Sequence, residues 1–216
     1  MGPDALRHTL VTYRNTLKRH QADLNKLNVY PVPDGDTGTN MARTLDAVVA
    51  ELDKRPGALE ETCNAISHGS LMGARGNSGV ILSQILRGLA STLKSARETG
   101  APKVAEALKA ASAAAYQSVL KPIEGTILTV VRESADAAVR AAGDGATLAA
   151  MLKLRNYSPI LGGTGMDSMV LFMPLLSLLA RHWMASFSMA SAAKHSESLM
   201  TSVPTAFRPW RRRPFH

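Results

Sequence analysis

The chain has 216 residues, 45% of them hydrophobic, which is enough to build a buried core in one large domain or two small ones. Its one cysteine, Cys63, excludes an internal disulfide framework and suits a reducing cytosol. The net charge of +8 is uneven: residues 1–150 carry 17 basic and 15 acidic side chains, residues 151–216 carry 8 and 2, so the basic excess belongs to the last third.

Leu6, Leu10, Tyr13 and Leu17 recur at helical spacing, and the pattern extends to Leu24 and Leu27. Arg7, His8 and Thr9 interrupt this segment, so it does not read as a signal peptide. Asn28 to Pro33 breaks the pattern. Met41, Leu45, Val48, Val49 and Leu52 then predict a second helix, with Thr37 or Thr39 as its cap. Leu59, Cys63 and Ile66 mark a third helix, with Cys63 on its apolar face. A glycine-rich stretch, Gly69 to Gly79, reads as a loop before a fourth helix that carries Val80, Ile81, Ile85, Leu86 and Leu89. An alanine-rich helix spans 103–119, a break covers 121–126, and Ile127, Val130, Val131, Ala135 and Val139 form another helical face. A last segment runs from Thr147 to about Leu154. Nothing reads as strand–turn–strand, so the predicted fold is all-α, an antiparallel helical bundle.

Two loops carry chemistry. In Pro33-Asp34-Gly35-Asp36-Thr37-Gly38 two carboxylates stand two residues apart in a tight turn. They repel unless a cation or proton separates them, and Mg²⁺ takes one or two carboxylates while leaving room for water and phosphate. The plain alternative is a solvated Asp-Gly turn. An EF-hand fits poorly, because Gly38 falls where a ligand belongs and no glutamate closes the loop. In the second loop, Gly73, Gly76 and Gly79 recur every three residues and Asn77-Ser78 opens an apolar helix. Free N–H groups at a helix start form an anion site, and Arg75 adds a charge that reaches phosphate. The competing reading is that these glycines only let helices pack closely. Neither a Walker A motif nor a dinucleotide fingerprint is present. The six histidines show no ligand spacing.

The segment Leu27-Asn28-Val29-Tyr30-Pro31-Val32-Pro33-Asp34-Gly35-Asp36-Thr37-Gly38-Thr39-Asn40-Met41 resembles the signature of the Dak2 (DhaL-like) kinase domain. Gly73-Ala74-Arg75-Gly76-Asn77-Ser78-Gly79-Val80-Ile81-Leu82-Ser83-Gln84 resembles a second motif of that family, and Lys121-Pro122-Ile123-Glu124-Gly125-Thr126-Ile127-Leu128-Thr129-Val130 a third. The nearest subgroup looks like the kinase subunit of bacterial fatty acid kinase, and the likeness covers roughly residues 5–152. The resemblance implies an antiparallel helical barrel that binds ATP through Mg²⁺ and phosphorylates an acceptor presented by a partner. That partner would be a DegV-like fatty-acid-binding subunit or, in the related branch, a dihydroxyacetone-binding subunit. Asp34 and Asp36 match the metal-binding acids, and Asn28 stands where a relative has a third acid. Thr37, Gly38, Thr39 and Asn40 match the nucleotide-contacting helix start; Gly76, Asn77 and Ser78 match the phosphate loop. Thr126 matches a position near the nucleotide. Asp34, Asp36 and Arg75 are the expected catalytic set. A truncated domain that binds nucleotide or a partner without turnover is the alternative.

The expected domain map is an incomplete kinase domain over 1–152, an atypical apolar segment over 153–197 and a basic, disordered tail over 198–216. All four phenylalanines and both tryptophans lie beyond residue 150, as do seven of the ten methionines. The family's nucleotide-covering Val-Asp-x-Gly-Gly loop has no counterpart there, which suggests a replaced or frame-shifted end. The apolar run Met169 to Leu176 contains Pro174 and is too short to span a bilayer. A cytoplasmic protein is expected, with a homodimer possible and nucleic-acid binding through Arg211-Arg212-Arg213 a minor reading.

Overall fold

The computed structural model describes residues 2–28, 32–54, 57–96 and 99–152. The expectations for 153–216, including the apolar cap and the basic tail, lie outside the described residues. The described residues form eight helices in order: α1 (Pro3–Arg19), α2 (Gln21–Leu27), α3 (Thr37–Lys54), α4 (Leu59–Gly73), α5 (Gly76–Lys94), α6 (Ala101–Gln117), α7 (Ile127–Gly143) and α8 (Leu148–Leu152). Among the described residues there is no strand, and the fold is the all-α bundle expected.

The apolar periodicities become the core. Tyr13, Met41, Leu45, Val48, Leu52, Leu82 and Ile85 are fully buried, and Cys63 lies among them. Each large side chain removed from water in this way contributes about 1.5–3 kcal/mol before the entropy of ordering it is charged. Val80 and Val139, expected on apolar faces, are exposed instead. The buried stripe of α5 runs through Gly79, Leu82, Ser83, Ile85 and Leu86, which turns Val80 outward.

Two boundaries differ from the sequence reading. The first helical pattern is broken at His20, whose backbone (φ −104°, ψ 11°) leaves the helix before α2 resumes it. The glycine-rich stretch is largely helical: α4 runs through Gly73, and only Ala74 and Arg75 separate it from α5. The reason is packing. A Cβ on Gly69 would come within 2.8 Å of Val48 Cα, and one on Gly79 within 2.6 Å of Thr44 Oγ1. A Cβ on Gly73 would overlap Ala47. These glycines let α4 and α5 rest on the α3 backbone.

The same contacts fix direction. Gly69 meets Val48 and Gly73 meets Thr44 and Ala47, so α4 runs antiparallel to α3. Gly76 meets Asn40 and Gly79 meets Thr44, so α5 runs parallel to α3. Helices α6 and α7 continue the row, α6 packing on α5 and α7 on α6. The α1 helix also packs on α3. With short connections between packed neighbours, the start of α3, the α4–α5 link and the α6–α7 turn all come to one end of the bundle.

Candidate active site: two helix starts and an acidic turn

Because α3 and α5 are parallel neighbours, their N-termini lie side by side. Ser78 Oγ, in the first turn of α5, reaches the carbonyl of Thr37, the first residue of α3, at 3.5 Å. Gly76 packs on the Asn40 side chain and is held at φ +57°. A helix start presents N–H groups without intrahelical acceptors, and its macrodipole adds positive potential. At α5 the N-cap is Arg75, and no side chain caps the helix. The amides of Gly76, Asn77 and Ser78 therefore remain available to an anion.

Asn40 strengthens this. It is 7% exposed, and its Nδ2 has no hydrogen-bond partner among the described residues. A buried amide donor without an acceptor is costly, on the order of 1–3 kcal/mol. An acceptor oxygen delivered by a ligand between the two helix starts removes that cost.

The start of α3 is held by α2, through residues that sequence reasoning missed. Asn25 Oδ1 accepts the Thr39 N–H at 3.1 Å, Asn25 Nδ2 donates to Thr39 Oγ1 at 2.9 Å, and Gln21 Nε2 donates to the same oxygen at 3.0 Å. Thr39 thus lies inside the first turn, clamped by α2, and does not cap the helix. Gly38 is buried against α2, where a Cβ would come within 2.5 Å of the Gln21 carbonyl. Its bareness permits this helix contact. The signal available in the sequence was the pair of amide side chains at Gln21 and Asn25, four residues apart on one helical face.

Immediately before α3 lies the acidic turn. Gly35 adopts φ +64°, a left-handed conformation that glycine adopts without strain. Asp34 is exposed and Asp36 half-buried, and the Asp36 carbonyl accepts the Asn40 N–H at 2.9 Å. Asn28 is brought to Asp34, its Nδ2 donating to Asp34 Oδ1. Among the described residues no three His, Cys, Asp or Glu side chains gather as a metal site. Two accessible carboxylates with hard oxygen donors suit a Mg²⁺ that brings its own phosphate and water ligands, not a bare ion caged by protein.

Arg75 and Thr126, both expected at the site, are each hydrogen-bonded within the protein. The Arg75 guanidinium is folded back, donating to the carbonyls of Ala74 at 2.7 Å and Met72 at 3.2 Å, at the C-terminus of α4. Thr126 caps α7: its Oγ1 accepts from Leu128 N–H at 3.3 Å and donates to the Ile123 carbonyl at 2.8 Å. His68 is exposed on α4. No helix of the described residues is long and apolar enough to cross a membrane.

The chain is similar in sequence to known proteins. An uncharacterized protein of Staphylococcus saprophyticus is 50% identical over 130 residues, 58% of this chain and 23% of that protein. Uncharacterized proteins of two Staphylococcus aureus strains are 50% and 49% identical over the same length and shares. The chain therefore spans about a quarter of the length of the curated relatives it matches. The DAK2 domain model matches residues 31–156, a range that holds the acidic turn, both helix starts and the α6–α7 turn. On that match the chain belongs to the DAK2 domain family.

Proposed function

We propose that this chain is an ATP- and Mg²⁺-dependent phosphotransferase domain acting on an acceptor presented by a partner protein. Membership of the DAK2 family supports a kinase-type phosphotransferase. The observation that carries the finer reading is the convergence of two helix N-termini beside a turn bearing two carboxylates, with the Asn40 amide, unpartnered among the described residues, between them. Positive potential and carboxylates side by side suit a ligand that is anionic and carries a metal, which describes a nucleoside triphosphate with Mg²⁺.

In this reading Asp34 and Asp36 hold the metal, with Asn28 orienting Asp34 or contributing its amide oxygen. The amides of Gly76, Asn77 and Ser78, the side chains of Asn77, Ser78 and Thr37, and Asn40 Nδ2 hold phosphate oxygens. Gly38 and Thr39 position that helix start. Bound Mg²⁺ supplies charge neutralisation on the phosphates as the phosphoryl group leaves. Arg75 reaches a phosphate only by releasing the Met72 and Ala74 carbonyls. The acceptor is a fatty acyl carboxylate on a DegV-like subunit, with dihydroxyacetone on its own binding subunit as the related possibility. Its cellular place is the cytoplasm.

Calorimetric titration with ATP tests the assignment. The parent chain binds ATP in Mg²⁺ and loses that binding in Asp34→Ala and Asp36→Ala; unchanged affinity in both variants would sink it. The folded-back Arg75 favours a second reading, in which the domain binds nucleotide without turnover. An ATP-consumption assay with and without the lipid-binding partner separates the two.

A further inference from the structure

The α6–α7 turn takes no part in the clamp described above, yet its polar groups converge on one carboxylate. Glu124 Oε1 accepts from Tyr116 Oη at 2.9 Å and from Arg132 Nη1 at 2.9 Å. Its Oε2 accepts from Thr129 Oγ1 at 2.6 Å. Thr129 Oγ1 in turn accepts the Gly125 N–H at 2.8 Å, with Gly125 at φ +79°. The next residue is Thr126, the cap of α7. One side chain thus ties the last turn of α6, the turn itself and the first two turns of α7. The donated hydrogen bonds, Thr129's foremost, lower the Glu124 carboxyl from its ordinary value.

An exposed glutamate that merely bridged two helices would need one cation. This one takes two hydroxyls and a guanidinium, and through Thr129 it sets the backbone of a left-handed turn. Helix direction places that turn at the same end of the bundle as the starts of α3 and α5. We propose that Glu124 is a positioning residue: by locking the 121–126 turn through Thr129, it fixes Thr126 and the start of α7 as a further wall of the nucleotide site. The proposal rests on the kinase reading above, and on the family resemblance for setting Thr126 near the nucleotide.

The test uses the full chain, calorimetric titration with ATP and Mg²⁺, and thermal melts of each variant. Glu124→Ala removes the hub. Thr129→Val keeps the side-chain shape but breaks both the Glu124 and the Gly125 hydrogen bonds, and Thr129→Ser restores the hydroxyl. Both disruptive variants weaken ATP binding roughly tenfold, the scale of one charge-assisted hydrogen bond. They keep their helix content, and Thr129→Ser returns the affinity to within about twofold of the parent. If the parent binds ATP and both disruptive variants match it, the positioning role is wrong while the kinase reading stands. If the parent binds no ATP, both fall together. A loss of affinity that follows loss of helix content, or that Thr129→Ser does not repair, also overturns the positioning role.

Discussion

Gly76 sits at φ +57° with the Asn40 amide where its Cβ would be. Alanine there meets two penalties, a left-handed backbone costing roughly 1–2 kcal/mol and a displaced Asn40. Gly76→Ala is therefore expected to lower unfolding free energy by at least about 1 kcal/mol in urea titrations and to weaken ATP binding further than that loss accounts for. Cys63 makes an independent check on the core. Burial pushes its thiol up to about 11, against the opposing charge of Lys94. The thiolate is the reactive form, so at pH 8 a thiol reagent should label the native chain far more slowly than the urea-unfolded chain, as read by intact-mass spectrometry. Equal rates would show that α4 does not pack as described.

At the scale of elements, the α3–α4–α5 layer is held by backbone contact, and the α6–α7 pair by a polar tie. Gly88 lies against the α6 backbone, where a Cβ would come within 2.7 Å of Ala111 Cα. Gly88→Val should force α5 and α6 apart and cost about 1–3 kcal/mol or more, visible as a lowered melting temperature by circular dichroism. The tie responds to pH. The Glu124 carboxyl is held below its unfolded value, so its contribution is present above the unfolded value and is lost as pH falls through the folded one. The parent should lose more stability than Glu124→Gln on acidification through and below the usual carboxylate range, in melts at constant ionic strength. These elements also show what the sequence made legible. Leu45, Val48, Leu52 and Ile85 sit at helical spacing and are buried, because periodicity directly encodes which face meets the core. The acidic turn was legible from glycine and two carboxylates. The extent of α4 was not: Gly69 and Gly73 look like loop residues in one dimension, and only the α3 backbone pressing on them makes them helical. The clamp of Gln21 and Asn25 on Thr39 was hidden for a related reason. It joins residues fourteen and eighteen apart across the loop between α2 and α3, and helical periodicity does not reach across a loop.

For the whole molecule, ligand binding and stability are one equilibrium. A ligand that binds only the folded chain at a hundredfold excess over its Kd adds about 2.7 kcal/mol, which for a domain of this size raises the melting temperature by roughly 5–10 °C. ATP and Mg²⁺ together should produce this shift in the parent and not in Asp36→Ala. Either component alone should produce much less, because the carboxylates and the helix starts each see only half of their complement. Two parallel helices that begin side by side place like partial charges together, and those ends repel when nothing lies between them. The resting fold therefore carries an internal electrostatic frustration at the end where it would work. Small oxyanions should relieve it without any nucleotide: phosphate or sulfate buffers should calm amide exchange at Thr37 and at Gly76 to Ser78, while chloride at equal ionic strength should not.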